Sequence, residues 1–318
     1  MKKRFLLYTT LLLAVFTAFS CKKDEEETEI KPSLYGVEFD IPTFARPEDQ
    51  ITLVPYGVYT GDGKEIEKIQ YKWRINGGEY SDPMDSFVLK NLQVGNYTVS
   101  CQASDPDNNY YATSVSKTLI VIDPALGKTL TGTGISTADD HIYDARGKAG
   151  ESEYYYQHVG DLDWFRNNLA WTGAGIAYEN ADVTSYPLGR FYTWEEAMTA
   201  CPEGWRLPTD AEWATLGDEA GPLLCEAYLN GTKMWEYWPD VNKSNSTGLA
   251  VIPAGYALPA IAEPTFKRLY EYAAFWTATE SESDDRMAAY RYIYVQDNDI
   301  RSTYGEKGSL ALSVRCVR

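Results

Sequence analysis

Apolar and polar residues alternate with a period of two from about Leu34 to Asp123. Stretches 36–41, 51–54, 69–75, 86–89, 96–101 and 115–122 each read as a short strand. In 69–75 the alternation puts Ile69, Tyr71, Trp73 and Ile75 on one face, and Asn76-Gly77-Gly78 then supplies a tight turn. In 96–101 it buries Tyr97, Val99 and Cys101 together. About seven such strands separated by turn signals predict an all-β sandwich over residues 34–123. Asp105-Pro106-Asp107-Asn108-Asn109 lacks the glycine and distal glutamate of a calcium loop and reads as a solvated turn.

The pattern changes after Asp123-Pro124 and the Gly/Thr run 129–134, which mark a boundary. Thr193-Trp194-Glu195-Glu196 is a capping box, and its helix runs to Ala200, before Pro202 and Gly204. Thr209-Asp210-Ala211-Glu212 repeats the device and opens a helix that buries Trp213 and Leu216. Stretches 275–280, 289–295 and 312–317 read as strands among long loops. Two helices with an irregular sheet make an α+β domain over 124–318.

Ahead of both regions, residues 1–21 carry Lys2, Lys3 and Arg4, then an apolar stretch 5–19, then Ser20-Cys21. That stretch falls short of the roughly 20 residues a membrane span needs, so it reads as a secretory signal. Residues 17–21 resemble a bacterial lipobox, which implies lipid on Cys21. The following Lys-Lys-Asp-Glu-Glu-Glu resembles the surface-export signal of Bacteroidetes lipoproteins. Residues 22–33 are then an acidic tether, and the expected location is the outer membrane, lipid-anchored and facing the exterior. Charge fits this reading. The chain carries −17; without the three leading bases, 26 bases face 46 acids, or −20. Such a field repels nucleic acid.

The sandwich resembles immunoglobulin-like domains of the PKD type. Trp73 matches their core tryptophan, and Gly95-Asn96-Tyr97-Thr98-Val99 resembles a strand of theirs. Their usual inter-sheet disulfide is missing, because Cys101 has no second cysteine within 34–123. The second region resembles the Fibrobacter succinogenes major paralogous domain in ordered blocks: 192–197 with 201–213, 246–249 with 253–256, 275–280 and 313–318. Residues 164–169 are similar to a further block, from which Phe165-Arg166-Asn167 departs. That family resembles C-type lectin-like domains and the formylglycine-generating enzymes in fold. The four cysteines beyond Cys21 allow three pairings. The lectin-like resemblance implies Cys201–Cys316, leaving Cys101 and Cys225 as buried thiols.

For chemistry the sequence offers little. His141 and His158 are the only histidines, and the carboxylate pairs Glu195/Glu196 and Asp284/Asp285 read as solvated. No catalytic residue and no cofactor is assigned. Calcium, frequent in lectin-like folds, would fall on Glu280, Glu282, Asp284 and Asp285; the usual lectin sugar motifs are absent. Aromatics are abundant: 25 tyrosines and 9 tryptophans. Sugar rings stack on such faces. Trp235, Tyr237 and Trp238 in a polar loop, with Tyr270 and Tyr272, are the candidate ligand-binding residues. Tyr290, Tyr292 and Tyr294 share one strand face, which reads either as core, the favoured reading, or as a further sugar-stacking surface; Trp205, Trp213 and Trp276 read as core. The expected function is non-catalytic capture of a glycan or glycoprotein at the cell surface. A structural component that docks other surface proteins and a glycan-active hydrolase are the alternatives.

Overall fold

The structure, a computed structural model, describes residues 31–64, 66, 68–122, 140–147, 152–235, 242–260 and 262–318. The signal segment with Cys21, the tether up to residue 30, the 123–139 boundary and the Tyr237 and Trp238 side chains lie outside them. Among the described residues, no helix is long and apolar enough to cross a membrane.

The molecule is mostly β, in several small sheets. Within 31–122 the largest sheet runs in the order Phe44–Ala45, Thr113–Val121, Gly95–Ser104, Gln70–Ile75. The first pairing is parallel and the others are antiparallel. The predicted alternation holds: Trp73, Val99, Cys101, Leu119 and Val121 are buried in one cluster with Phe39 and Leu53. Phe39 packs its edge on Trp73 at 5.1 Å between centroids, and Phe87 stacks on it at 5.6 Å. Asp105 forms the expected turn, its carboxylate accepting from the Asp107 and Asn109 amides at 2.9 and 2.7 Å.

Both predicted helix starts are present as full capping boxes. The Thr193 hydroxyl accepts from the Glu196 amide, while Glu196 Oε2 accepts from the Thr193 amide at 2.8 Å. Thr209 and Glu212 do the same. The helices are short, Trp194–Ala200 and Asp210–Ala214. Below roughly 12 residues a helix is marginal by itself. Here burial of Trp194, Ala197 and Ala200 on one helix and Trp213 on the other ties both to the sheet. The indole Nε1 of Trp194 donates to Thr277 O at 2.9 Å, fixing the first helix to a strand 83 residues away.

Cys201, at the end of that helix, bonds Cys316, with Cα atoms 5.9 Å apart. Cys101 and Cys225 are buried outside the bridge. The predicted strand 312–317 differs from expectation. Leu312, Ser313 and Val317 pair singly with Tyr192, Phe275, and Trp164 and Arg206. The segment threads between short pieces of chain, so no neighbour continues long enough to build a ladder. Arg315 anchors it from inside. Its guanidinium, 1% exposed, donates to Asn168 Oδ1 at 2.7 Å, Phe165 O at 3.0 Å and Leu249 O at 2.7 Å.

The two regions share apolar packing. Phe44 and Ile122 belong to the same buried cluster as Val183, Leu188, Phe191 and Ile252. Asn230 Nδ2 donates to Val121 O at 2.9 Å across the same seam.

Candidate functional site

A three-stranded antiparallel sheet carries the candidate site. Its strands are Tyr272–Glu280, Met287–Tyr294 and Arg301–Glu306. Register decides its chemistry. Tyr272 stands opposite Tyr294, Ala274 opposite Tyr292, and Trp276 opposite Tyr290. With a period of two, all six side chains share one face. The other face holds Ala273, Phe275 and Ile293 in a buried cluster, where Phe275 stacks on Trp213 at 5.0 Å.

The tyrosine face is only partly covered. Trp276 is buried at its floor, with Nε1 donating to Tyr192 O at 2.8 Å. Ala274, small and fully buried, stands between its bulky neighbours. Gly305 on the third strand lets Leu310 and Tyr290 pack close, since a Cβ there would come within 2.7 Å of the Leu310 side chain and 3.1 Å of the Tyr290 ring. Above lies the hairpin of Tyr256–Leu258 and Thr265–Lys267. Gly255 allows its close approach, since at φ +81° a Cβ would sit 2.3 Å from Lys267 O. Ala257 exchanges two backbone hydrogen bonds with Ala311, of 3.0 and 2.9 Å.

What remains between hairpin and sheet is a cleft of about 560 Å³, within the roughly 300–1,000 Å³ of small-molecule sites. Tyr256, Tyr272, Tyr290, Tyr292 and Tyr294 line it with Leu258, Leu310, Leu312, Thr303 and Arg268. The rings brace one another. Tyr272 stacks on Tyr292 at 5.2 Å and meets Tyr256 and Tyr294 edge-on at 5.5 and 6.1 Å. Burial pushes the Tyr272 and Tyr290 phenols above their usual range. These phenols are protonated at neutral pH and present neutral hydroxyls.

Of the predicted ligand-binding residues, Tyr272 lines this cleft. Tyr270 does not; it packs against the cluster of Phe191 and Ile252. Trp235 is a correction. Its side chain is fully buried and its Nε1 donates to Val251 O at 3.0 Å, so its ring offers no face to a ligand. The 290–294 face is a second correction. Core was the favoured reading; its three tyrosines do pack against the core, but they are only half-buried and line the cleft. The calcium candidates do not converge. Asp284 holds Arg286 through both oxygens, at 3.1 and 2.9 Å, and Glu280 holds the Lys307 ammonium. Among the described residues, no group of three histidine, cysteine, aspartate or glutamate side chains could hold a metal ion. Burial pushes the Cys101 and Cys225 thiols up to about 12 and about 11, far from thiolate reactivity.

Family comparison adds the remaining fact. Residues 157–318 match the Fibrobacter succinogenes major domain. The chain belongs to that family. Every residue lining the cleft lies inside this Fibrobacter succinogenes major domain, as does the Cys201–Cys316 bridge. A search of curated proteins found no match. Among solved structures, the three N-terminal domains of the bacteriophage RB49 highly immunogenic outer capsid protein (Hoc) share 12% identity. The likeness spans 89% of this chain and 69% of that one, with a TM-score of 0.24, too low to carry any argument.

Proposed function

We propose that this chain is a surface lipoprotein that captures an extracellular glycan or glycoprotein in the tyrosine cleft without transforming it. The carrying observation is the cleft itself: five tyrosine rings meeting within 5.2–6.1 Å along its wall. Tyrosine joins an apolar face to a hydroxyl, and a sugar ring presents the same two chemistries in mirror order. Braced rings lose little freedom on binding, which favours affinity. Among the described residues that line the cleft there is no carboxylate, histidine or cysteine. Hydrolysis by paired carboxylates therefore finds no support there.

In this reading Cys21 carries lipid that holds the chain to the outer membrane. An immunoglobulin-like spacer over 34–123 lifts a lectin-like domain outward. The apolar seam at Phe44 and Ile122 supports a stiff spacer over a free hinge. Ligand capture at a distance from the bilayer needs that stiffness.

Full-length protein in detergent, probed on an array of oligosaccharides, tests the reading. We expect binding that Tyr292→Ala weakens about tenfold or more, as loss of a central aromatic anchor does, in protein that still unfolds cooperatively. Binding indifferent to Tyr292→Ala and Tyr294→Ala alike overturns the assignment of this cleft. Metabolic labelling with an alkyne fatty acid tests the anchor. Label should appear on the wild type and vanish in Cys21→Ser; label persisting in Cys21→Ser contradicts it.

A further inference from the structure

We infer that Glu271 sets the charge selectivity of the tyrosine cleft: it holds Arg268 in an ion pair, so the cleft takes uncharged sugars and refuses acidic ones. The inference rests on the glycan-binding reading above and adds the ligand class.

Among the described residues lining the cleft, Arg268 carries the one formal charge. That charge is already matched. Arg268 Nη1 donates to Glu271 Oε2 at 2.9 Å and to the Tyr294 hydroxyl at 3.3 Å. Its guanidinium lies 5.1 Å from the Tyr294 ring centroid. The nearest strand neighbour on the same face is treated alike. Arg301, opposite Tyr292, is shared by Asp297 at 2.8 Å and Asp299 at 3.2 Å.

An exposed ion pair is worth at most about 1 kcal/mol, too little to hold two long side chains in place. Here the backbone turn brings the two residues together. The amides of Glu271 and Tyr272 both donate to Arg268 O at 3.1 Å, and Val295 N donates to Glu271 O at 3.0 Å. Arg268 and Tyr270 take left-handed φ of 61° and 72°, which turns the chain tightly enough to bring residue 271 back onto 268. Such strain persists only where surroundings enforce it. The turn thus sets Glu271 beside Arg268, the cleft's lining cation, with both side chains partly exposed.

A sialic or uronic acid entering the cleft would meet that carboxylate. Its attraction to Arg268 would be cancelled nearby and opposed at longer range by the acidic chain. A neutral hexose has no such penalty and can use the phenol hydroxyls. With Glu271 uncharged, the Arg268 fork would be open to a carboxylate or sulfate in two-point contact.

The test uses full-length wild type, Glu271→Gln, and Arg268→Met/Glu271→Gln on matched neutral and sialylated oligosaccharides at low and physiological salt. Wild type should bind the neutral members. Glu271→Gln should keep them and gain the acidic members by about tenfold or more at low salt, a charge contact that salt screens. Adding Arg268→Met should abolish the gain. Wild type binding acidic and neutral members equally, or no gain in Glu271→Gln, overturns this inference and leaves glycan binding standing. Wild type binding no sugar overturns the reading beneath it.

Discussion

Aromatic residues with the same sequence signature take opposite fates here. Trp235, read as an exposed loop aromatic, is fully buried, at a left-handed φ of 56°. Its partner Val251 lies 16 residues on, so nothing local in sequence announces its burial. We expect Trp235→Ala to cost about 3–5 kcal/mol in urea denaturation, as large-to-small changes in cores do. A loss under 1 kcal/mol would mean that the ring is not part of the core. The 290–294 alternation was legible as a shared face, but not which way that face was covered. Tyrosine at every second position was the available signal, because a sealed core favours side chains without hydroxyls.

Elements were more legible where their determinants are local. Both capping boxes were readable because cap and acceptor stand three residues apart. The 312–317 segment was misjudged, since its partners come from four separate places in the chain. The second cap makes a pH prediction. Glu212 is held down to about 2, against an ordinary 4.5, chiefly by hydrogen bonds from Arg206 and helped by Thr209. A carboxylate with a depressed folded pKa adds stability above its unfolded value, and that contribution fades as pH falls through the folded one. The gap in melting temperature between wild type and Glu212→Gln should therefore be present at neutral pH and close between pH 4.5 and about 2. A gap that stays constant across that range would show that the charge on Glu212 is not what stabilises the helix start.

At the scale of the whole molecule, the Cys201–Cys316 bridge joins the end of the first helix to the terminal segment across 115 residues. Closing so long a loop is worth about 2–5 kcal/mol. Arg315, one residue before Cys316, saturates carbonyls from two other segments. Together they seat the segment that pairs with Phe275 beneath the tyrosine sheet. We expect the Cys201→Ser/Cys316→Ser double variant to lose stability by that amount in chemical denaturation, while the sugar binding proposed for the cleft is kept where it remains folded. The family match and the strand grammar of 34–123 came from patterns in the chain itself. The cleft depends on a hairpin, a sheet and a turn meeting in space, and no single stretch of sequence encodes that meeting. The role proposed for the cleft is ligand capture by a braced tyrosine face. Calorimetric titration of the full-length protein with a neutral oligosaccharide chosen on the array tests this most directly. Saturable heat at one site per chain, lost in Tyr292→Ala with the fold intact, is the predicted result. Equal heat in wild type and Tyr292→Ala would contradict it.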